Sequence, residues 1–153
     1  MNSARQPHPG DYPFHVTETL RFADTDRHGH ITNSVFAICC QTGRIAILED
    51  PASPLAPPGT QFVVAKLDID FRRELHWPGS VDIGTRIVRV GRSSLTFEQG
   101  LFQHDQCVAT ANSVVVLTDV ATRRSTALPE SLVELFQTFT STAVDPLFDA
   151  AAT

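Results

Sequence analysis

Hydrophobic and polar residues alternate along several stretches of the chain, and this period of two predicts β-strands. The clearest example runs from Phe62 to Phe71, where every second residue from Val63 onward is apolar. A weaker alternation from His15 to Phe22 is interrupted by Glu18. Short turn signals separate three further strand-like stretches, which are Val81 to Val90, Ser94 to Gln103 and Cys107 to Leu117. The pattern therefore predicts about five strands.

Two segments have a helical pattern instead. Asn33 to Leu48 follows a candidate capping residue, Thr32, and its apolar residues cover most of the helix circumference. Such a distribution favours a helix that is buried on nearly all sides. Gly43 in its interior costs about 1 kcal/mol relative to alanine, which indicates that another element approaches closely there. Pro129 to Thr138 predicts a second, short amphipathic helix.

The order of these elements predicts an α+β fold, in which a curved antiparallel sheet of about five strands is wrapped around one central helix. The four strands after the long helix are expected to form an antiparallel meander. Residues 1–13 are rich in proline and are expected to be a flexible lead-in, residues 14–140 a single domain, and residues 141–153 a frayed tail. One helix cannot cover the whole sheet, so we expect a homodimer or a homotetramer.

Composition narrows the class of protein. With 153 residues, 42% hydrophobic and 19% charged, the chain fits one compact domain rather than a disordered protein. Its net charge of −5 argues against nucleic acid or an anionic membrane as partner. No segment resembles a signal peptide or a membrane span. Cys39, Cys40 and Cys107 lie in apolar runs without metal or redox spacing, so we expect buried free thiols and a cytoplasmic protein.

The densest cluster of chemically useful side chains is residues 24–33, DTDRHGHITN, just before the long helix. The first N–H groups of a helix are unpaired and form the positive end of its dipole, which suits a carboxylate or a developing oxyanion. The alternative is that Asp24, Asp26 and Thr32 only cap the turn and the helix.

The same segment lacks the features of a metal site. A calcium loop that opens at Asp24 would need Glu at its twelfth position, where this chain has Val35. The pair His28 and His30 has no further ligands at a diagnostic spacing. We therefore expect neither a metal nor a cofactor.

The segment resembles the signature D-T-D-x-x-G-H-[VI]-x-N-x-x-[YF] of hotdog-fold acyl-CoA thioesterases of the 4-hydroxybenzoyl-CoA thioesterase type. The residues that carry the resemblance are Asp24, Thr25, Asp26, Gly29, His30, Ile31, Asn33, Phe36 and Arg44. A later region with Pro78-Gly79 and Gly91-Arg92-Ser93-Ser94 is also similar, so the resemblance covers roughly residues 14 to 120. It implies a hotdog fold and hydrolysis of an acyl-CoA thioester to free acid and coenzyme A.

The resemblance also implies roles for individual residues. Asp26 would be the catalytic carboxylate, acting as nucleophile or as general base. Backbone N–H groups near Asn33 would stabilise the oxyanion, and His30 and the Asn33 side chain could orient Asp26 or water. The chain departs from the family at Gln41, where many relatives have Glu, and at Phe36, where Tyr is frequent. Gln41 cannot serve as a base, so Asp26 remains the candidate.

Coenzyme A carries phosphates, so a net negative protein must bind it through a local basic patch. The candidates flank the strand turns and are Arg72, Arg73, Arg89, Arg92 and Ser94. His76 resembles part of a dehydratase motif but follows a strand rather than preceding the helix, and we interpret it as a turn residue. The alternatives to hydrolysis are a hotdog enoyl-CoA hydratase or dehydratase that uses His30, and a non-catalytic acyl-CoA-binding module.

Overall fold

The structure is a computed structural model and describes residues 5–140. The predicted tail lies outside the described residues. The described part contains five strands and two α-helices: β1 Phe14–Thr19, α1 Asn33–Leu48, β2 Thr60–Phe71, β3 Ser80–Val90, β4 Ser94–Gln103, β5 Gln106–Asp119 and α2 Glu130–Thr140. All five strands form one antiparallel sheet. The predicted α+β architecture, a five-stranded antiparallel sheet with one long helix, is therefore confirmed.

The strand order in the sheet is β1-β3-β4-β5-β2. The predicted meander is confirmed for β3, β4 and β5 but is wrong for β2, which pairs with β5 and not with β3. The reason lies in α1, which connects the two edge strands β1 and β2. The helix lies across β1, β3 and β4, so it carries the chain from one edge of the sheet to the other.

Helix α1 buries one face against the sheet through Phe36, Cys39, Cys40, Gly43, Arg44 and Leu48. A Cβ atom on Gly43 would lie 2.7 Å from Oγ1 of Thr85 on β3 and 2.5 Å from Nε2 of Gln99 on β4. The predicted close approach at Gly43 is thus confirmed. The expectation that α1 is buried on nearly all sides is wrong within one chain, because Ile38 is 54% and Ile45 38% exposed.

The start of the domain differs from the sequence expectation at both ends of β1. Residues 9–12, assigned to the flexible lead-in, are packed, since Pro9–Asp11 form a 3-10 helix and Tyr12 is buried. Strand β1 ends at Thr19 instead of Phe22. Phe22–Asp24 form a second 3-10 helix. The Phe22 side chain is exposed to solvent and contacts the ring of Trp77, with ring centroids 5.3 Å apart.

The remaining predictions concern α2 and the cysteines. The predicted C-terminal helix is confirmed as α2. Its Leu132 and Phe136 side chains are buried in the core. All three cysteines are buried and free, as expected. Burial raises the pKa of Cys40 to about 11, so its thiol is protonated at neutral pH. Neither α-helix in residues 5–140 has the length and hydropathy of a membrane-spanning segment.

Candidate functional site

The segment between β1 and α1 is a tight turn that the backbone holds closed. Thr25 forms an antiparallel bridge with Ile31, and the N–H of Asp26 donates to the carbonyl oxygen of His30 at 2.7 Å. Gly29 closes the turn with φ +81°, a left-handed conformation that glycine adopts at little cost. The N–H of Ile31 donates to the carbonyl oxygen of Leu75 at 3.0 Å, which fastens the turn to the segment before β3.

The carboxylate of Asp26 is oriented by this turn and lies at the protein surface. Its Oδ1 atom accepts the backbone N–H of His28 at 2.8 Å and that of His30 at 3.1 Å. Partial desolvation raises the pKa of Asp26, but the two N–H donors and the nearby histidines outweigh it, so the net pKa lies below the ordinary value. Asp26 is therefore ionised at neutral pH and keeps Oδ2 free of protein donors among residues 5–140.

Asp24 has a different environment. It is buried, and its two carboxylate oxygens accept the backbone N–H of Arg21 at 2.7 Å and Nη2 of Arg21 at 2.8 Å. The Arg21 side-chain hydrogen bond, followed by the backbone one, holds the pKa of Asp24 below its usual range. Its backbone carbonyl also accepts the N–H of Thr32. Asp24 thus shapes the turn, while Asp26 faces solvent.

A cavity of about 330 Å³ lies beside Asp26 and the first turn of α1. Asp26, His30 and Asn33 all line it, so the structure brings the three predicted catalytic residues together. Thr32 precedes the helix without a side-chain hydrogen bond to its N–H groups, and the first turn holds no acidic residue. The positive end of the α1 dipole is therefore available to a negatively charged ligand group.

Glu74, which the sequence interpretation did not single out, also lines this cavity, and His76 lies close to Glu74 and His30. Nε2 of His30 lies 3.3 Å from Oε2 of Glu74, and Nε2 of His76 lies 3.6 Å from the same oxygen. His30 and His76 form a β-bridge, and their ring centroids are 5.8 Å apart. The interpretation of His76 as a turn residue is thus corrected. No local motif signals a contact between residues so distant in sequence.

The predicted coenzyme A contacts fall into two groups. Arg72 and Arg73 line the cavity beside Asp26, with Nε of Arg72 donating to Oγ1 of Thr110 at 3.2 Å. The N–H of Arg72 pairs with Val108 at one end of β5, whereas Ser94 pairs with Val116 near the other. Eight residues of strand span roughly 26 Å. Within one chain, Ser94 lies far from Asp26, together with its sequence neighbours Arg89 and Arg92.

The aromatic wall of the cavity is formed by Phe36 and Phe71, whose rings meet edge to face with centroids 5.1 Å apart. Phe36 occupies the last position of the signature, where Tyr is frequent in the family. Within the described ranges, no group of three or more His, Cys, Asp or Glu side chains could hold a metal ion.

Comparison with known proteins gives one family match. The family model described as the thioesterase-like superfamily matches residues 20–136, which include the Asp26 turn, α1 and all strands after it. No curated protein matches the chain significantly.

Several solved structures are similar. A Pseudomonas aeruginosa protein shares the fold over 92% of this chain and 100% of its own, with 23% identity and a TM-score of 0.79. A predicted thioesterase from Bacillus stearothermophilus is 25% identical over 82% of this chain and 95% of its own, with a TM-score of 0.75. A Thermus thermophilus thioesterase complexed with coenzyme A and Zn is 29% identical over 82% of this chain and 98% of its own, with a TM-score of 0.71.

Proposed function

Because the chain belongs to the thioesterase-like superfamily, we propose that it is an acyl-CoA thioesterase of the 4-hydroxybenzoyl-CoA thioesterase type, which hydrolyses its substrate to a free acid and coenzyme A. The observation that carries this proposal is the Asp26 carboxylate, which two backbone N–H groups hold ionised at a cavity beside the start of α1. The cavity thus offers a base or nucleophile and a positive helix end on neighbouring walls, which is the pair of features that acyl transfer needs.

In the proposed reaction, the thioester carbonyl points its oxygen at the N–H groups near Asn33, and Asp26 acts from the other side. As general base, Asp26 takes a proton from water while the water oxygen attacks the carbonyl carbon. As nucleophile, it forms an acyl-aspartyl anhydride that water then hydrolyses. In both routes the C–S bond breaks and the coenzyme A thiolate is released. Rapid-quench mass spectrometry separates them, since only the second route adds the acyl mass to the Asp26 peptide.

We propose that two groups of residues bind coenzyme A, and we distinguish them by their distance from Asp26. Arg72 and Arg73 line the same cavity as Asp26, which supports a role for them in binding its phosphates. We propose that Arg89, Arg92 and Ser94 act from a second copy, because their own Asp26 lies at the opposite end of the sheet. The coenzyme A bound by the Thermus thermophilus thioesterase supports this class of ligand.

A homodimer, or a tetramer of dimers, is part of this proposal. Strand β2 is an edge strand of twelve residues, and it carries exposed Val63, Val64 and Phe71. Ile38 and Ile45 on α1 are also exposed. A long unpaired edge with apolar neighbours favours pairing with a second copy. The free cysteines are consistent with a reducing cytoplasm, which we propose as the compartment.

The test is a thiol-release assay over short, long and aromatic acyl-CoAs. We expect turnover with at least one class, and Asp26→Asn lowers kcat/KM at least about 100-fold, as loss of a general base does. Asp50→Asn is the matched control, since Asp50 is exposed beyond the other end of α1. Wild-type turnover in Asp26→Asn would refute the assignment. Enoyl-CoA conversion without thiol release would show a hydratase, and tight binding with no release would show a binding module.

A further inference from the structure

A second cavity, which the proposed reaction does not use, lies between α1 and β2 at the end of the helix away from Asp26. Its volume is about 280 Å³. Its apolar lining consists of Ile45, Leu48, Phe62, Val64 and Val115, and Arg44 also lines it. Ile45 and Val64 also belong to the face proposed above for contact with a second copy, so this cavity lies beside that contact. We call it the Arg44 cavity. Gln41 and Glu49, both exposed, complete its rim.

Arg44 is an unusual residue for such a place, because it is only 5% exposed. Nη1 donates to Oε1 of Gln99 at 3.3 Å and to Oγ of Ser113 at 3.5 Å, both long for hydrogen bonds. Among residues 5–140, no carboxylate lies within 4.0 Å of its guanidinium. Burial lowers the pKa of Arg44, but a guanidinium remains charged in proteins. The buried charge is therefore compensated only by neutral groups.

Arg86, a second buried arginine, has a carboxylate partner within the chain. It is 1% exposed, and its guanidinium forms a salt bridge with the buried Glu98, including a hydrogen bond of 2.8 Å from Nε to Oε2. Burying a charge without such a partner is costly. Among the described residues, Arg44 thus lacks the carboxylate partner that Arg86 has.

The free donors of Arg44 face the cavity. No hydrogen bond from its Nε or Nη2 atoms is present among the described residues. The only fully buried side-chain polar atom without a partner in that part of the chain is the hydroxyl of Tyr12. Nε and Nη2 therefore retain accessible surface, and the accessible space beside Arg44 is the cavity that it lines.

We propose that the Arg44 cavity binds the carboxylate of an apolar carboxylic acid. Nε and Nη2 of Arg44 donate hydrogen bonds to the two carboxylate oxygens. The hydrocarbon part packs on Leu48, Phe62 and Val115. The guanidinium supplies the contact to an anionic group, and the apolar lining favours a hydrocarbon chain over a sugar. The acid is either a free molecule or the distal carboxyl group of an acyl chain.

Calorimetric titration of the full-length protein with octanoate and with octanol tests the site directly and requires no catalysis. We expect octanoate to bind at least tenfold more tightly than octanol. Arg44→Met, which keeps the length of the side chain and removes its charge, abolishes that preference, and Arg44→Lys retains part of it. Arg124→Gln, an exposed arginine elsewhere, leaves it unchanged. Equal affinity for octanoate in wild type and Arg44→Met overturns the proposal, as does equal affinity of wild type for octanol and octanoate.

Two further measurements complete the test. If Arg44→Met does not fold, methyl NMR of the wild type decides, since octanoate must shift Ile45, Leu48 and Val115 before any methyl near Asp26, and shifts elsewhere refute the site. The second arm rests on the proposed hydrolysis and compares suberoyl-CoA with octanoyl-CoA. A preference for suberoyl-CoA that Arg44→Met removes assigns the site to the acyl chain. Octanoate binding without that preference assigns it to a free acid, and failure of both refutes the proposal.

Discussion

Asp26 and His30 are joined by two backbone-mediated hydrogen bonds in opposite directions. The N–H of Asp26 donates to the carbonyl oxygen of His30 at 2.7 Å, and the N–H of His30 donates to Oδ1 of Asp26 at 3.1 Å. This reciprocal pair fixes the carboxylate against its own turn, so the orientation of Asp26 does not depend on a mobile partner side chain. Its chemistry is therefore set by the backbone of residues 26–30.

The first prediction concerns the pH dependence of the proposed hydrolysis. The pKa of Asp26 lies below its ordinary value, so activity that needs the carboxylate is present at neutral pH and is lost only as pH falls through that lowered pKa. We expect kcat/KM to stay constant from about pH 7 to about pH 5, with no acid limb at the ordinary aspartate value of about 3.9 or above. Initial rates from about pH 7 down to below about pH 3.9, with circular dichroism to verify folding, check it. An acid limb centred near about pH 6 would contradict the assignment.

The second prediction concerns Glu74, whose Oε2 lies 3.3 Å from Nε2 of His30. Both side chains are substantially exposed, so the pair is worth little to stability, about 1 kcal/mol or less. Glu74→Gln is therefore expected to lower kcat a few-fold, roughly fivefold, by loosening His30, with KM little changed. Steady-state kinetics against Glu134→Gln, the same change at an exposed position of α2, measure it. A loss as large as that in Asp26→Asn would instead place Glu74 in the chemical step.

Local patterns predicted local features of this fold well. The bounds of α1 agree at both ends, Asn33 and Leu48, because hydrophobic periodicity and a preceding cap are properties of adjacent residues. The position of Asp26 before the helix follows from the same segment. The strand order cannot be predicted in this way, because periodicity shows which face of a strand is buried and not which strand lies beside it. The sequential default placed β2 beside β3, and the path of α1 across the sheet overrides it.

For the candidate site, too, the sequence indicated the residues that lie within one segment and not those that folding brings close. Asp26, His30 and Asn33 lie within one short segment, and a motif within one segment is visible in the sequence. Glu74 and His76 come close to His30 only in the folded protein, where a bridge joins His30 to His76. The environment of Arg44 was also invisible, because an arginine in an apolar helix shows its partners only after folding.

The third prediction concerns Gly43, where α1 crosses the sheet. A methyl group there would lie 2.5 Å from Nε2 of Gln99, which is itself fixed by a hydrogen bond of 2.9 Å to the carbonyl of Cys40. Alanine gains about 1 kcal/mol in helix propensity, but overpacking a rigid core costs about 1–3 kcal/mol and breaks this hydrogen bond. We expect Gly43→Ala to lower the free energy of unfolding by about 1–2 kcal/mol. Urea denaturation measures it, with Thr42→Ala, one position along α1, as the control. A more stable Gly43→Ala would show that the helix can move away from β4.

The last prediction concerns the proposed pairing of β2 edges. Val63 is 36% exposed on β2, and lysine on an edge strand opposes pairing with another copy, because it places a charge in the interface. We expect Val63→Lys to weaken self-association at least about tenfold, or about 1.4 kcal/mol. Val120→Lys is the matched control, since Val120 is 51% exposed just beyond the end of β5 rather than within the free edge strand. Sedimentation velocity at micromolar concentration measures both. If the wild type sediments as a monomer, a second copy cannot supply Arg89, Arg92 and Ser94, and of the proposed coenzyme A contacts only Arg72 and Arg73 remain.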